Sequence, residues 1–429
     1  MENFSVNNNG NLAINGCDTV ELAKQYSTPL YVLNENMIRQ ACKSYKDAIA
    51  KYYDGRGLAC YASKALNCLE ICRIIQDEGL GLDVVSEGEL YTAIKSGFKT
   101  ENIHFHGNNK TDDELIMALD NNVGTIVVDN LFEMQKLDKL AKQKDCVANI
   151  SLRIKPGIDA HTHDYIRTGQ IDSKFGFALE TGEAFEAVKN AIELKNINLK
   201  ELHCHIGSQI FDVYPFVLAS QVMMDFIAKI RDELNYTIEN LNLGGGFGIK
   251  YVDKDNPKPY ELYIKEIANA IKIKAKENNL PLPYLFVEPG RSIVGEAGIT
   301  LYKVGSVKTI PDVRTYISVD GGMTDNIRYA LYRSDYKAII ANKASMPASN
   351  IVTIAGKCCE SGDLIQENAN IQSPEVGDIL AVFSTGAYNY SMASNYNRIR
   401  RPAMVMVKDG KSRVIIKRES LDDLIKNDI

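Results

Sequence analysis

Long hydrophobic runs and a strong charge imbalance are both missing from this sequence. No segment holds the roughly 18 uninterrupted apolar residues that a membrane-spanning helix needs. The opening stretch, MENFSVNNNGNLAING, lacks the basic start and the apolar core of a secretory signal. The formal charge is only −6, whereas a surface that binds nucleic acid is typically strongly basic. We therefore expect a cytoplasmic protein that binds neither nucleic acid nor a membrane.

Regular cysteine spacing is missing as well. The cysteines number nine, and a chain of 429 residues has enough apolar material to build a core without disulfide bonds. The apolar share of 45% and the charged share of 24% are ordinary for a soluble globular protein. We expect reduced thiols and a chain of about two or three domains.

Short apolar runs alternate with helix-like segments over the first two thirds of the chain. The segments between the runs, such as SEGELYTAIKSG, carry apolar residues at helical spacing and end in glycine. Eight such units close a (β/α)8 TIM barrel, whose usual length is about 250 residues. We predict this α/β barrel over residues 36–296, with strands at GLACYAS, GLDVVS, NIHFHG, GTIVVD, ANISLRIKP, LKELHCHIG, IENLNLGGG and PYLFVEPG.

The pattern changes after Gly298. The later runs carry little helical periodicity and are separated by glycine and proline: TLYKVGSVKTI, TYISVD, IVTIAG, ILAVFS and PAMVMVKDGKSRVIIK. We predict a second, antiparallel β-domain from residues 297–429. Residues 1–35, which end in the strand-like PLYVL, are predicted to join it because chain ends often pack together.

Unusual residues cluster at the carboxyl ends of the predicted barrel strands, where such barrels carry their active sites. Lys64 follows the first strand, glycines 244–246 end the seventh, and Glu288 ends the eighth. Taken singly, such a lysine is usually solvated and a glycine run is usually a tight turn. Together, a glycine-rich loop with backbone N–H donors suggests a bound phosphate, with the amine of Lys64 facing it.

An amine beside a phosphorylated ligand suggests a Schiff base with pyridoxal 5′-phosphate. The ring of this cofactor needs an acidic partner for its nitrogen and an imidazole or aromatic face for stacking. Glu288 and His205 are placed to provide these.

A metal-dependent hydrolase on the same barrel is the alternative from another class. Histidines two apart on a strand share one face, and a pair of them can chelate a metal. No set of histidines and carboxylates clearly completes one metal site, so we predict no metal. All six histidines occur in such pairs: His104/His106, His161/His163 and His203/His205.

Eight motifs in chain order support the pyridoxal phosphate interpretation: YASKA, DVVSEGEL, PGIDAHTHDYIRTGQIDSKFGF, HCHIGSQIFD, NLGGGFGI, EPGRSIVGEAG, CCESGD and GAYNYSMASNYN. With these motifs the chain closely resembles the diaminopimelate decarboxylases, a family of alanine-racemase-like, fold-type-III pyridoxal phosphate enzymes. The resemblance covers almost the whole chain. It implies decarboxylation of meso-2,6-diaminopimelate to L-lysine and carbon dioxide, the last step of lysine biosynthesis.

The resemblance also implies a role for particular residues. Lys64 is similar to the Schiff-base lysine, His205 to the imidazole stacked on the cofactor ring, and Glu288 to the carboxylate on the ring nitrogen. With Cys359, similar to the family's proton donor, these are the catalytic residues. The other cofactor-binding positions implied are Asp83, Ser208, Gly245, Gly246, Pro289, Gly290, Arg291 and Tyr388.

The substrate positions implied by the resemblance lie mostly in the second domain. Glu360 resembles the acceptor for the distal amine of the substrate, and it is expected, with Cys359, to come from the second subunit of a homodimer. An arginine offers the planar fork that a distal carboxylate accepts. The remaining substrate-binding positions are Arg291, Arg328, Tyr332 and Tyr388.

The chain departs from the family pattern near two of these positions. Lys357 and Tyr329 stand where the family commonly has proline, and Cys358 adds a second thiol beside Cys359. These differences leave open the shape of the loop around Cys358 and Cys359 and the way in which Arg328 is positioned.

Two other activities remain open at this point. A related decarboxylase of ornithine, lysine or carboxynorspermidine has the same overall chemistry, although Arg328 and the ESGD motif favour the diaminopimelate form. A non-catalytic pyridoxal phosphate carrier is normally a single barrel, so the second domain and Cys359 argue against it.

Overall fold

The computed structural model describes residues 3–158 and 173–429, which form two compact units. The barrel unit comprises Ala41–Gly248 and Pro257–Ser292, and the β unit comprises Met1–Gln40, Ile249–Asn256 and Ile293–Ile429. The segment Ile249–Asn256 falls inside the predicted barrel range but belongs to the β unit. The reason is packing, because Tyr251 lies in the core of the β unit with its ring edge-on to Tyr336.

The strands within the described residues are β1 Phe4–Val6, β2 Leu12–Ile14, β3 Cys17–Asp18, β4 Leu30–Asn34, β5 Gly57–Ala62, β6 Gly81–Val84, β7 Ile103–Phe105, β8 Thr125–Val128, β9 Ala148–Lys155, β10 Phe177–Ala178, β11 Ile197–Cys204, β12 Asn240–Asn242, β13 Tyr284–Val287, β14 Gly298–Ile310, β15 Arg314–Val319, β16 Ala338–Ile340, β17 Asn350–Ala355, β18 Leu364–Ile371, β19 Ile379–Phe383, β20 Ala403–Lys408 and β21 Lys411–Ile416. The helices are α1 Thr19–Tyr26, α2 Glu35–Tyr52, α3 Leu69–Asp77, α4 Glu87–Ser96, α5 Asp112–Asp120, α6 Leu131–Gln143, α7 Glu183–Glu193, α8 Tyr214–Leu234, α9 Tyr260–Glu277, α10 Arg291–Val294, α11 Arg328–Tyr332 and α12 Leu421–Ile425.

The barrel unit is a closed ring of eight parallel strands. The order is β5, β6, β7, β8, β9, β11, β12 and β13, and β13 pairs with β5 to close the ring, while β10 adds to β9 outside it. Each of the eight predicted runs supplies one of these strands, so the predicted barrel is confirmed. Neighbouring strands end level with one another, with Ala62 opposite Asp83 and Val84 opposite Phe105. The strand ends therefore present their following residues along one rim.

The helices between the strands begin and end where local signals place them. In α4 the Ser86 hydroxyl accepts a hydrogen bond from the Glu89 N–H, and Gly97 ends the helix in the left-handed conformation at φ 82°. In α5 Thr111 and Glu114 form a reciprocal capping box. The glycine-terminated segments of the sequence are thus true helices.

The β unit is built around one large mixed sheet. Its strand order is β18, β17, β15, β14, β4, β20 and β21, with β19 pairing with β14 and β16. The PLYVL segment forms β4, in the centre of this sheet, as predicted. The sheet is largely antiparallel, but β15–β17 and β4–β20 are parallel. β4 lies between β14, to which it is antiparallel, and β20, to which it is parallel.

Candidate active site

The barrel rim gathers most of the predicted cofactor residues. Lys64 lies in a single helical turn directly after β5, exposed between the buried Ser63 and Ala65. Asp83 lies within β6 and is almost fully buried. The stretch after β13 packs onto the end of β5, since the Ala62 N–H donates to the Pro289 carbonyl at 3.1 Å. Gly290 permits this approach, because a Cβ there would lie 2.9 Å from the Ala62 side chain.

The carboxylate of Glu288 is buried at this rim and accepts three hydrogen bonds. His106 Nε2 lies 2.8 Å from Oε1, His203 Nε2 lies 3.1 Å from Oε2, and Asn242 Nδ2 donates to Oε1 at 2.8 Å. Burial raises the pKa of Glu288, but its contacts with His106 and His203 outweigh burial and hold that pKa well below its usual value. Glu288 is therefore an ionised, immobilised acceptor.

His106 acts as a neutral donor to Glu288. Burial lowers the pKa of His106 to about 3, against the opposing effect of the Glu288 charge, so the imidazole carries one proton at neutral pH. The short contact to Glu288 Oε1 then requires that proton to be on Nε2. The second carboxylate nearby, Asp83, has its Oδ1 3.7 Å from the same nitrogen.

His205 is a neutral ring at the end of β11. Burial and the positive charge of Lys64 hold the pKa of His205 well below its usual range. Its Nδ1 accepts a hydrogen bond from the Gly245 N–H at 3.4 Å, which fixes the tautomer with the proton on Nε2. The imidazole is thereby tied to the glycine loop that follows β12.

The glycine loop packs against its surroundings so tightly that side chains are excluded. A Cβ on Gly245 would lie 2.0 Å from the Glu288 carbonyl oxygen. Gly246 has φ +112°, and a Cβ there would lie 2.4 Å from the Gly207 carbonyl oxygen. Close by, the buried Arg291, the first residue of α10, donates through Nη2 to the Ser208 hydroxyl at 3.0 Å.

These residues fit pyridoxal 5′-phosphate. The site offers an amine for the aldehyde of the cofactor, and a neutral imidazole and an ionised carboxylate for its ring. A guanidinium–hydroxyl pair beside a loop without side chains suits its phosphate. An orphaned acceptor supports the fit, because the buried Oδ1 of Asp83 has no hydrogen-bond partner among the described residues. Burial and the Glu288 charge raise the pKa of Asp83 well above its usual value, and the charge of Lys64 opposes that rise.

A metal is the other ligand to be tested at this position. Among the described residues, His106, His203 and Glu288 form the one group of three potential ligands. Their atoms are in contact with one another at 2.8 and 3.1 Å, whereas ligands around a tetrahedral zinc ion with bonds of about 2.0–2.1 Å would be about 3.3 Å apart. The geometry is that of hydrogen bonds to a carboxylate. The pair His161/His163 lies outside the described residues.

In the β unit, three tyrosine rings surround the buried guanidinium of Arg328. The ring centroids of Tyr251, Tyr332 and Tyr388 lie 5.7, 5.2 and 5.8 Å from its central carbon. Arg328 Nη2 donates to the Ser334 hydroxyl at 3.3 Å, and within the described part of the chain its Nε has no hydrogen-bond partner. The structure thus brings together Arg328, Tyr332 and Tyr388, three positions that the resemblance assigns to substrate binding, and adds Tyr251.

Tyr329, at one family proline position, anchors the helix that carries Arg328. Its hydroxyl donates to Glu367 on β18, and Glu367 also accepts from Arg314 at 2.9 Å. Tyr329 is itself buried. Where the family commonly has a conformationally restricted proline, this chain therefore has a tyrosine whose side chain is hydrogen-bonded to the sheet.

The loop that carries Cys358 and Cys359, the cysteine loop, is held in place by hydrogen bonds from its backbone. The Cys358 N–H donates to Asp363 at 2.7 Å, the Cys359 N–H donates to Asn397 at 2.8 Å, and the Lys357 N–H donates to the Gly321 carbonyl at 2.9 Å. A proline in place of Lys357 could not make that last bond.

The two cysteines of this loop face different environments. Cys358 is buried, and burial together with the Asp363 charge raises the pKa of its thiol to about 11. Cys359 and Glu360 are exposed. The environments distinguish Cys359 as the accessible thiol.

Some residues of the site escaped the sequence analysis. His106 and His203, which the sequence suggested only as members of possible metal-chelating pairs, contact Glu288 directly, and Asn242 and Asp363 were given no role. The H-x-H pairs at strand ends were the available signal for the histidines, because residues two apart on a strand share a face. Asn242 and Asp363 lie in the motifs NLGGGFGI and CCESGD, but these motifs indicated no role for either residue.

Known proteins are similar to this chain along almost its whole length. Residues 35–295 match the family model described as the pyridoxal binding domain of pyridoxal-dependent decarboxylases. A diaminopimelate decarboxylase of Bacillus methanolicus is 49% identical, over 97% of this chain and 96% of its own. Crystal structures of diaminopimelate decarboxylase from M. jannaschii, without and with L-lysine, are 37% identical, with TM-scores of 0.93 and 0.92 over 100% of this chain and 98% of theirs. No helix among the described residues has the length and apolar character required to cross a bilayer.

Proposed function

The chain belongs to the diaminopimelate decarboxylases, a family of pyridoxal-dependent carboxy-lyases, and on that premise we propose that it converts meso-2,6-diaminopimelate to L-lysine and carbon dioxide. This is the last step of lysine biosynthesis. The observation that most strongly supports the proposal is the Glu288 carboxylate, held ionised by His106, His203 and Asn242 on the rim that carries Lys64. The L-lysine bound to the relative from M. jannaschii has the chemistry of the proposed product.

The barrel residues are proposed to hold the cofactor and control its protons. When bound, pyridoxal phosphate supplies an electron-accepting ring for the pair left behind when carbon dioxide departs. Lys64 provides the amine for covalent attachment, and Glu288, kept ionised by its donors, holds a proton on the ring nitrogen. His205, neutral and tied to Gly245, offers a flat face for stacking. Asp83 lies on the same rim, where the charge of Lys64 opposes the rise of its pKa.

The phosphate is proposed to bind at the glycine loop. Gly245 and Gly246 present backbone without side chains, Ser208 and Arg291 supply a hydroxyl and a guanidinium, and Pro289 and Gly290 set the path of the chain into Arg291. Tyr388 is proposed to contribute a further hydroxyl.

The substrate is proposed to be selected through its distal amino-acid head. Arg328 is buried and has no carboxylate partner within the described residues, which is costly unless a ligand supplies one. Its planar fork matches a carboxylate, and the surrounding tyrosines, Tyr332 and Tyr388 among them, hold the guanidinium face. Lysine and ornithine lack a second carboxylate, so this arginine favours diaminopimelate over either.

The reaction is proposed to finish with a proton from Cys359. Its exposed thiol and the exposed Glu360 are suited to act on a substrate held by another copy of the chain. We therefore propose a cytoplasmic homodimer with shared active sites, in which residues 36–296, apart from Ile249–Asn256, form the cofactor-binding barrel and residues 1–35 with 297–429 form the second domain.

Carbon dioxide release from meso-diaminopimelate, L-lysine and L-ornithine, measured side by side, tests the proposal. The expected result is turnover of diaminopimelate at a rate at least about 10³-fold above the other two, the discrimination that one buried, charge-paired head group provides. Faster turnover of ornithine or lysine would support the related decarboxylase instead. A colourless protein with stoichiometric zinc would support the hydrolase.

A further inference from the structure

A second buried network lies directly beneath Glu288 in the barrel unit. His104 Nε2 lies 3.1 Å from Glu201 Oε2, and both side chains are buried inside the strand ring. Burial lowers the pKa of His104, but the Glu201 charge outweighs burial and raises that pKa well above its usual range. The two side chains therefore form a buried ion pair, and Glu201 is a second carboxylate close to Glu288.

Asn242 is the side chain that joins the two carboxylates. Its Nδ2 lies 2.8 Å from Glu288 Oε1 and 3.4 Å from Glu201 Oε1, and its Oδ1 accepts from the Gly244 N–H at 2.9 Å. The position follows from register, because β12 lies between β11 and β13, with Asn242 opposite His203 and Phe286. One fully buried amide thus contacts both carboxylates and the first residue of the glycine loop.

Only an uncharged hydrogen-bond donor fits between the carboxylates of Glu288 and Glu201. Two buried carboxylates repel each other unless a donor lies between them, and an aliphatic side chain would leave both without that hydrogen bond. An aspartate of the same shape would keep the contact to Gly244 but place a third acceptor against two others. The amide also fixes the direction of Glu288, because the amide oxygen of Asn242 is anchored by the Gly244 N–H.

We propose that Asn242 is a positioning residue, which screens Glu288 from Glu201 and couples the orientation of that carboxylate to the glycine loop. The proposal rests on the proposed function in one respect, namely that Glu288 serves the ring nitrogen of the cofactor. The amide of Asn242 contacts Glu288, Glu201 and the Gly244 N–H. Its substitution should therefore act through the proton affinity and direction of Glu288.

Other charged or titratable groups also face Glu288 and must be counted in any pH effect. These are Asp83, His106, Arg153, His203, His205, Cys60 and Cys204. None of them is altered by a substitution at Asn242, so a new pH dependence in Asn242→Asp reports on the introduced aspartate and the two carboxylates beside it.

The test compares Asn242→Asp and Asn242→Ala with Asn198→Asp as the matched control. Asn198 lies on the adjacent strand β11, and its amide donates to Asn149 at 2.9 Å, not to a carboxylate. For Asn242→Asp we expect kcat to be lower by about 10²-fold and pyridoxal phosphate affinity to be lower by about tenfold, because the added acceptor raises the proton affinity of Glu288. Both should recover as pH rises from about 6 to about 9, because Glu288 then loses that proton. The bound-cofactor absorption band should shift over the same pH range.

The other variants separate charge from the loss of a bond. Asn242→Ala removes the donor without adding an acceptor, so we expect kcat lower by about tenfold and no new pH dependence. The double variant Glu201→Gln/Asn242→Asp removes the excess acceptor charge and should regain most of the lost affinity. Melting temperatures of the apo forms show whether each variant folds, and Asn242→Ala with Asn198→Asp carry the test if Asn242→Asp does not.

The outcomes distinguish this proposal from the proposed function. A cofactor affinity, absorption band and pH profile for Asn242→Asp equal to those of Asn198→Asp would overturn the role of Asn242. So would equal losses in the aspartate and alanine variants with unchanged pH profiles, because that result describes a structural role only. Failure of the wild-type protein to release carbon dioxide from diaminopimelate would overturn the proposed function alone, since cofactor affinity and absorption are measured without substrate.

Discussion

The site residues of the barrel unit and those of the β unit are held in different ways. Around Glu288 each partner comes from a different strand end and is buried, and side chains bond to side chains. Around Cys359 the thiol is exposed, and the neighbouring backbone makes the bonds, to Asp363 and Asn397. Arg328 is intermediate, because it is buried but is surrounded by ring faces with few hydrogen bonds.

This difference matches what each set is proposed to do. A carboxylate that must stay ionised needs fixed donors in a dry place, which level strand ends provide. A residue that meets substrate, or a second subunit, must be reachable, so it lies on a loop whose backbone is tethered and whose side chain is left exposed. Four predictions test how far the two sets are separable.

The largest effect is expected at Lys64. Lys64→Ala removes the amine that attaches the cofactor, so activity should fall by about 10⁴-fold or more. Borohydride reduction of the loaded wild-type protein should add the cofactor mass to the tryptic fragment that contains Lys64, and the variant should show no such addition. The exposed Lys95 on α4 provides the control substitution Lys95→Ala, which should leave the adduct intact. Covalent labelling of Lys64→Ala at full stoichiometry would refute the assignment.

The next effect is expected at Arg328, in the β unit. Arg328→Gln keeps much of the side-chain length but removes the fork, so kcat/KM for diaminopimelate should fall by about 10³-fold, while the cofactor adduct forms normally. Arg333→Gln, at the exposed end of the same helix, is the control. Unchanged preference for diaminopimelate over lysine in Arg328→Gln would mean that another residue reads the distal carboxylate.

A smaller effect separates the two adjacent cysteines. Cys359→Ala should lower kcat by about 10²-fold and retain the cofactor, because a general acid typically contributes about that much. Cys358→Ala should retain activity within about threefold, since its buried thiol, with a pKa raised to about 11, is poorly suited to exchange protons with substrate. The reverse pattern of losses would show that the alignment of this loop with the family is displaced by one residue.

The smallest effect concerns stability against pH, where the two units should differ in sign. In the β unit, burial raises the pKa of Asp325 to about 7, so the folded state holds that proton more tightly than the unfolded state. Its contribution is therefore greatest below about pH 4 and is lost as pH rises towards about 7, by at most about 1.4 kcal/mol per pH unit. Glu288 is the opposite case, because its pKa is held low in the folded state. Its contribution to stability is lost as pH falls below the pKa that this carboxyl has in the unfolded state.

Urea unfolding between about pH 5 and about pH 7 checks this difference. Asp325→Asn should flatten the decline of unfolding free energy with rising pH, because the amide has no proton to lose. Asp312→Asn, a change at an exposed position of the same unit, should leave the slope unchanged. An unaltered slope in Asp325→Asn would show that this carboxyl does not carry the effect.

The parts of the fold that were predictable depend on local pattern. The eight barrel strands follow from apolar runs of strand length separated by helical periodicity, and β4 follows from PLYVL. The parallel pairing of β4 with β20 was missed, because it joins segments from opposite ends of the chain. The position of Ile249–Asn256 was missed for a similar reason, since Tyr251 packs with Tyr336, far away in sequence.

The parts of the site that were predictable follow the same division. Lys64, Glu288 and the glycine loop stand in recognisable motifs at strand ends, whereas no motif indicates which side chains contact Glu288. His106 lies 182 residues away from it in sequence, and Asn242 lies 46 residues away. The pattern H-x-H indicates that two side chains share a face, but it does not indicate which carboxylate they meet across the barrel.

The sequence by itself determined the strands, the caps, the glycines and the kinds of reactive group, because these depend on residues close together in the chain. Only the tertiary structure decided which groups are charged: closure of the barrel brings His106, His203 and Asn242 onto Glu288, and burial leaves Cys358 protonated while Cys359 is exposed. The physical reason is that the pKa of a side chain is set by desolvation and by neighbours in space, and both come into being when distant strands meet.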